Sequence, residues 1–260
     1  MSKLSDAFTG RHKLVGFVTA NDPDMETTVA NVVALAEGGA DVVELGIPFS
    51  DPIADGPVIQ RADLRALRDF DLPMSAIFDA VVKIREQTNV PLVFLTYLNI
   101  VLQYGYDAFC RDCKQFGING LIIPDLPYEE KGELKPFADK YAIDLIPLIT
   151  LNSGNRIKAI ANDASGFVYL VSSLGVTGER DHFSDRLASI VDQIRADTDV
   201  PVAIGFGVHE PSQAKELGQF ADGVIIGSAF VKIVEQYQQA APKHLKEFAS
   251  QVKSAMTADE

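Results

Sequence analysis

The chain has 260 residues, 47% hydrophobic and 23% charged, a globular composition that excludes a disordered tail protein, a collagen-like chain and a small disulfide scaffold. Asp and Glu outnumber Lys and Arg by 36 to 23, and the net charge of −13 repels nucleic-acid backbones and anionic lipid surfaces. An anionic small ligand would have to be held locally, by backbone N–H groups or helix ends.

Residues 1–12 are expected to form a short lid on one end of the fold, and MSKLSDAFTG at 1–10 lacks a signal-peptide core. No run reaches the ~18 apolar residues of a spanning helix, and two cysteines cannot staple a chain of this size. A soluble cytoplasmic protein is expected. Eight continuous apolar runs follow, at 14–20, 41–47, 90–97, 120–125, 144–150, 166–172, 200–207 and 223–229. Continuous runs suit strands buried on both faces, as parallel strands are under covering helices.

Between them lie segments with helical spacing, such as 25–39 and 183–198. Gly38 and Gly39 punctuate the end of the first, and Gly117 is expected as the left-handed residue ending the helix DAFCRDCKQF. That helix carries Cys110 and Cys113, read as helix-face cysteines. Residues 231–253 hold the last helices, and the tail TADE is expected to fray. Eight βα units match a (β/α)8 barrel, and TANDPD after the first strand has none of the glycines of a dinucleotide-binding turn. No linker divides the chain, so 1–260 is expected to be a single (β/α)8 TIM-barrel domain with a short N-terminal helix and an extra C-terminal helix.

Barrel chemistry sits at the C-terminal ends of strands and in the loops after them. Glu44 lies within an apolar run, where a carboxylate must titrate or find a partner; a structural pairing with a basic residue or backbone donor is the competing reading. The next loop presents Asp55 among prolines and a glycine, whereas Asp51 reads as a turn-stabilising Asx residue. A buried Glu and a loop Asp in unlike environments form an acid/base pair. The ends AIGFGV at 203–208 and IIGSAF at 225–230 offer Gly205, Gly207, Gly227 and Ser228 as a backbone cradle for phosphate. After Ser172, the segment to Asp185 reads as a long lid. No predicted strand end carries a Schiff-base lysine, Lys13 lying at the opposite end of its strand. The single histidines His12, His182, His209 and His244 do not cluster as metal ligands, so no metal is expected.

The stretches ELGIPFSDPIADGP at 44–57, GVTG at 175–178, GFGV at 205–208 and GSA at 227–229, with FVTANDPD at 17–24 and LTYLN at 95–99, resemble the tryptophan synthase alpha chain family. The resemblance implies retro-aldol cleavage of indole-3-glycerol phosphate to indole and glyceraldehyde 3-phosphate, late in tryptophan biosynthesis. It implies Glu44 as the proton-shuttling catalytic acid and base, and Asp55 as the catalytic aspartate beside the indole N–H. Phe17, Ile59, Leu95, Tyr169 and Phe206 would line or flank the indole cavity, ordinary barrel packing being the alternative for the apolar ones. Thr177 would position the aspartate, and Gly178, Gly207, Gly227 and Ser228 would bind the phosphate. No cofactor is implied for this chain. The implied partner is a pyridoxal-phosphate-dependent beta chain, in an αββα heterotetramer that the loop at Pro48 to Asp55 contacts. Another phosphate-binding barrel, such as ribulose-phosphate epimerase or an isomerase of tryptophan or histidine biosynthesis, would share the cradle but not the 44–57 element. A catalytically idle barrel serving as an interaction subunit is a further alternative.

Overall fold

In a computed structural model of the chain, residues 2–69, 72–172, 180–205 and 207–258 are described. The elements run α1 (Lys3–Ala7), β1 (Lys13–Thr19), α2 (Met25–Glu37), β2 (Val42–Gly46), α3 (Pro57–Ala66), α4 (Met74–Arg85), β3 (Leu92–Leu95), α5 (Leu98–Tyr104) and α6 (Tyr106–Phe116). They continue β4 (Gly120–Ile122), α7 (Lys135–Tyr141), β5 (Asp144–Leu145), β6 (Leu148–Thr150), α8 (Ile157–Asn162), β7 (Val168–Val171), α9 (Arg180–Arg195), β8 (Val202–Gly205), α10 (Pro211–Leu217), β9 (Gly223–Ile226), α11 (Ser228–Tyr237) and α12 (Ala241–Thr257).

All strand pairs are parallel, in the order β5-β4-β3-β2-β1-β9-β8-β7-β6. The two outer strands of this order are halves of one run. β5 pairs with β4 and β6 with β7. In the gap, Ile146 donates its N–H to Leu121 O at 2.9 Å, and Pro147 O accepts the Tyr169 N–H at 3.0 Å. The sheet therefore closes into a (β/α)8 barrel through a split fifth strand. The expected unbroken strand at 144–150 is corrected to two pieces, because Pro147 has no N–H to continue the ladder.

Alternate strand residues point inward. Val15, Val42, Val93, Ile122, Ile146, Phe167, Ala203 and Ile225 form one buried cluster with Leu4 and Phe8. Leu4 and Phe8, respectively 0% and 5% exposed, come from α1 and its C-terminal cap, and the Phe8 and Phe167 rings lie 5.1 Å apart. The amino-terminal segment thus plugs the bottom of the barrel, as the lid expected at 1–12 requires. A larger cluster fills the space between the sheet and its helices. Gly117 is left-handed at φ +89°, and Cys110 and Cys113 are buried on α6.

Two further boundaries differ from the sequence expectation. α9 begins at Arg180, inside the segment expected as an irregular lid to 185; residues 173–179 lie outside the described residues. α12 continues through Thr257, the first residue of the tail expected to fray. Among the described residues no helix is long and apolar enough to cross a membrane.

Candidate active site

The residues one pleat above the plug cluster stand toward the C-terminal mouth. By the period of two, Val42 inward places Glu44 inward, Val15 places Phe17, Val93 places Leu95, and Phe167 places Tyr169. Phe17 and Val93 flank Glu44 in register on either side. Glu44 is 1% exposed, and its Oε1 has no hydrogen-bond partner among the described residues. Burial without a compensating charge pushes its pKa up to about 8, because a low-dielectric site penalises the ionised form. For the competing reading, a pairing with a basic residue or backbone donor, no ion pair to Glu44 occurs among the described residues, and its Oε1 meets no backbone donor there.

Asp55 sits on the loop between β2 and α3 and is partly buried. The Tyr97 hydroxyl donates to Asp55 Oδ2 at 2.7 Å and accepts the Ala54 N–H at 3.0 Å. Burial raises the Asp55 pKa, and the Tyr97 hydrogen bond partly offsets it. Gln60, in the first turn of α3, donates to Asp55 O at 2.8 Å. The two carboxyls act electrostatically on the same phenol: burial, then Glu44, then Asp55 raise the pKa of Tyr169 well above its usual value. Asp51 departs from its expected role. It is exposed, and its carboxylate accepts the neighbouring Ser50 hydroxyl at 2.5 Å instead of a backbone N–H.

Phe17 is 3% exposed and packs with Ala62 and Val231, against which Val58, Ile59 and Leu95 close. This cluster forms one wall of the mouth, so Phe17, Ile59 and Leu95 are brought together. Arg65 of α3 reaches Asp22 at 2.8 Å and Glu235 of α11 at 3.0 Å. It braces the helix that follows Asp55 against the helix that starts at Ser228.

Beside that wall, Gly227 precedes α11 and Ser228 is its first residue, and a Cβ on Gly227 would lie 3.7 Å from Phe17. Val231 N–H closes the first turn on Gly227 O at 3.1 Å, so the N–H groups of Ser228, Ala229 and Phe230 are those a helix leaves without an intrahelical carbonyl. Gly207 is exposed with φ +75°, a conformation glycine adopts without strain. Gly205 also has a packing role. A Cβ there would lie 2.7 Å from the Tyr169 ring and hydroxyl and 2.8 Å from Ile225 Cβ, so the missing side chain makes room for Tyr169. Thr177, Gly178 and Phe206 lie outside the described residues.

Residue types and spacing missed two groups. Tyr97 is 2% exposed, and its step of two from Leu95 signals the same inward face. Asp63 of α3 is 6% exposed, and burial together with the charges of Asp55 and Asp22 pushes its pKa up to about 8. A cleft of about 750 Å³ opens behind the loop, lined by Pro48, Pro52, Asp63, Leu67 and Met74 among others. Neither Glu44 nor Asp55 lines it. Among the described residues no group of three or more His, Cys, Asp or Glu could hold a metal ion.

The profile of the family described as tryptophan synthase alpha chain matches residues 4–259. The tryptophan synthase alpha chain of Lacticaseibacillus casei is 56% identical over 258 residues, 99% of this chain and 97% of the relative. That of Lactiplantibacillus plantarum is 52% identical over 98% of this chain and 97% of the relative. Among solved structures, tryptophan synthase subunit alpha from Legionella pneumophila superposes with a TM-score of 0.89 at 32% identity, covering 99% of both chains. Ligand-free tryptophan synthase from M. tuberculosis gives 0.88 at 34% identity, over 98% of this chain and 99% of that one. With the barrel, the buried glutamate and the loop aspartate in place, these matches settle the lineage: the chain belongs to the tryptophan synthase alpha chain family.

Proposed function

We propose that Glu44 and Asp55 carry the reaction of this family, the retro-aldol cleavage of indole-3-glycerol phosphate to indole and glyceraldehyde 3-phosphate. The observation that carries the assignment is a carboxyl buried at the barrel mouth, with an oxygen that has no partner among the described residues and a pKa near 8. Such a group holds its proton at neutral pH and can surrender it in a transition state.

The proton inventory closes on one residue. Glu44 gives its proton to the ring carbon that carries the glycerol chain, and the carboxylate so formed takes the proton of the side-chain hydroxyl as the carbon–carbon bond breaks. The hydroxyl carbon becomes the aldehyde, the bonding pair returns to the ring, and Glu44 ends protonated again. Asp55 stays ionised beside the ring N–H and stabilises the positive charge that ring protonation creates. Phe17, Ile59, Leu95, Tyr169 and Phe206 bound the indole cavity. Thr177 positions Asp55, and Gly178, Gly207, Gly227 and the amino end of α11 at Ser228 hold the phosphate, backbone donors serving where a chain of net charge −13 offers no basic field.

This reading gives the chain no cofactor and no metal. The partner is the beta chain of tryptophan synthase in an αββα heterotetramer, with pyridoxal phosphate in that partner, and the compartment is the cytoplasm. Indole is apolar enough to cross membranes, which gives direct transfer to the partner a physical motive. The test is indole release from indole-3-glycerol phosphate by the purified protein, with and without added beta chain. Glu44→Gln should fold, keep phosphate-ligand binding and lose indole release; wild-type turnover in this variant would remove Glu44 from the mechanism.

A further inference from the structure

We propose that Tyr97 is a positioning residue that holds the Asp55 carboxylate in its reactive place, an assignment that rests on the reading of Asp55 above. The loop from Ser50 to Asp55 is tied to itself by local contacts. Ser50 donates to Asp51, Ile53 N–H to Asp51 O, Asp55 N–H to Pro52 O, and Gln60 to Asp55 O. Among the described residues, the hydrogen bonds of residues 50–55 that leave the stretch 50–60 all end on one atom, the Tyr97 hydroxyl oxygen, which accepts from Ala54 and donates to Asp55. Ile53, at the tip, is 83% exposed, so packing does not fix the loop there.

The mount of that phenol is tied to the barrel on both sides. Thr96 N–H bonds Ile122 O at 3.0 Å on one side of Tyr97. On the other side, Leu98 N–H bonds the Asp125 carboxylate at 2.8 Å. The ring stacks on Phe49 at 5.1 Å and 27°, which helps to hold its direction. The phenol therefore fixes both the place of Asp55 and the charge on it, since a donated hydrogen bond favours the carboxylate over the neutral acid. The titratable groups facing Asp55 are Tyr97 from the β3 to α5 junction, Asp63 from α3 and Tyr169 from β7. Only Tyr97 donates a hydrogen bond to the Asp55 carboxylate among the described residues.

The experiment compares wild type with Tyr97→Phe, which keeps the ring and its stack and deletes the hydroxyl, in steady-state cleavage of indole-3-glycerol phosphate across pH. The variant should lose about tenfold or more in kcat, with KM changed far less, as expected when a reacting group is misplaced. The acidic limb of its kcat/KM profile should move to higher pH. Wild-type kcat with an unmoved acidic limb overturns the proposal. If Tyr97→Phe fails to fold, 3-fluorotyrosine at position 97, a stronger donor of the same shape, should move the acidic limb to lower pH; an unmoved limb overturns the proposal. If the wild type releases no indole, the functional reading fails by itself. Carbon-13 NMR titration of the Asp55 carboxyl then tests Tyr97 independently: the midpoint should rise in Tyr97→Phe, and an unchanged midpoint overturns the positioning role.

Discussion

Replacing Glu44 by Gln should make the protein more stable in alkaline solution. The folded-state pKa of Glu44 is lifted from 4.5 to about 8 by burial. The folded chain therefore binds a proton that the unfolded chain releases throughout this window. Stability is at its fullest below the unfolded pKa and falls as pH rises through 4.5 towards 8, at about 1.4 kcal/mol per pH unit. Over the whole window the ceiling is about 5 kcal/mol, a large fraction of the ~5–15 kcal/mol that holds a typical domain together. Glutamine has the shape of the neutral acid and cannot ionise. Its buried amide adds a cost of about 1–3 kcal/mol if unpaired, but that cost does not vary with pH. Urea unfolding of wild type and Glu44→Gln from pH 5 to 8 should show the stability difference moving in the variant's favour by about 3–4 kcal/mol, all other titrations cancelling. A difference that stays flat across this range would refute the account of Glu44 as a carboxyl kept neutral by desolvation. In the active protein the same group should set the alkaline limb of kcat/KM near pH 8, where the general acid is lost.

Three other substitutions test the remaining parts of the site. Asp55→Ala should cost turnover nearly as much as Glu44→Gln, and full kcat in single-turnover cleavage would exclude Asp55 from the reaction. Ser228→Leu places a bulky side chain at the start of α11 and should raise KM more than it lowers kcat; identical kinetics on a substrate lacking the phosphate would defeat the cradle. Gly205→Ala puts a methyl group 2.7 Å from the Tyr169 ring and should cost about 1–3 kcal/mol through overpacking. Unfolding at the wild-type urea midpoint would show that the strand gives way instead.

Much of this was written in residue order. Eight apolar runs with helical spacing between them named the barrel, because strands covered on both faces leave continuous hydrophobic sequence. The position of Glu44 inside one run, and of Asp55 among prolines just beyond it, marked the candidate acid pair, because a carboxyl in such a setting needs a reason. The family resemblance supplied the reaction, and the full-length matches bear it out.

Other features depended on distance in space. Pro147 splits the fifth strand, yet the barrel still closes because neighbours on both sides take up its ladder. Gly205 has a packing reason that its own stretch of sequence does not show, since Tyr169, 36 positions earlier in sequence, fills the space its side chain would need. Tyr97 and Asp55 are 42 residues apart, and no local pattern couples them. Hydrophobic periodicity is a property of neighbours along the chain, so it reveals which face is buried. The partner of a buried polar atom is chosen by how strands and helices converge, which only the closed barrel decides.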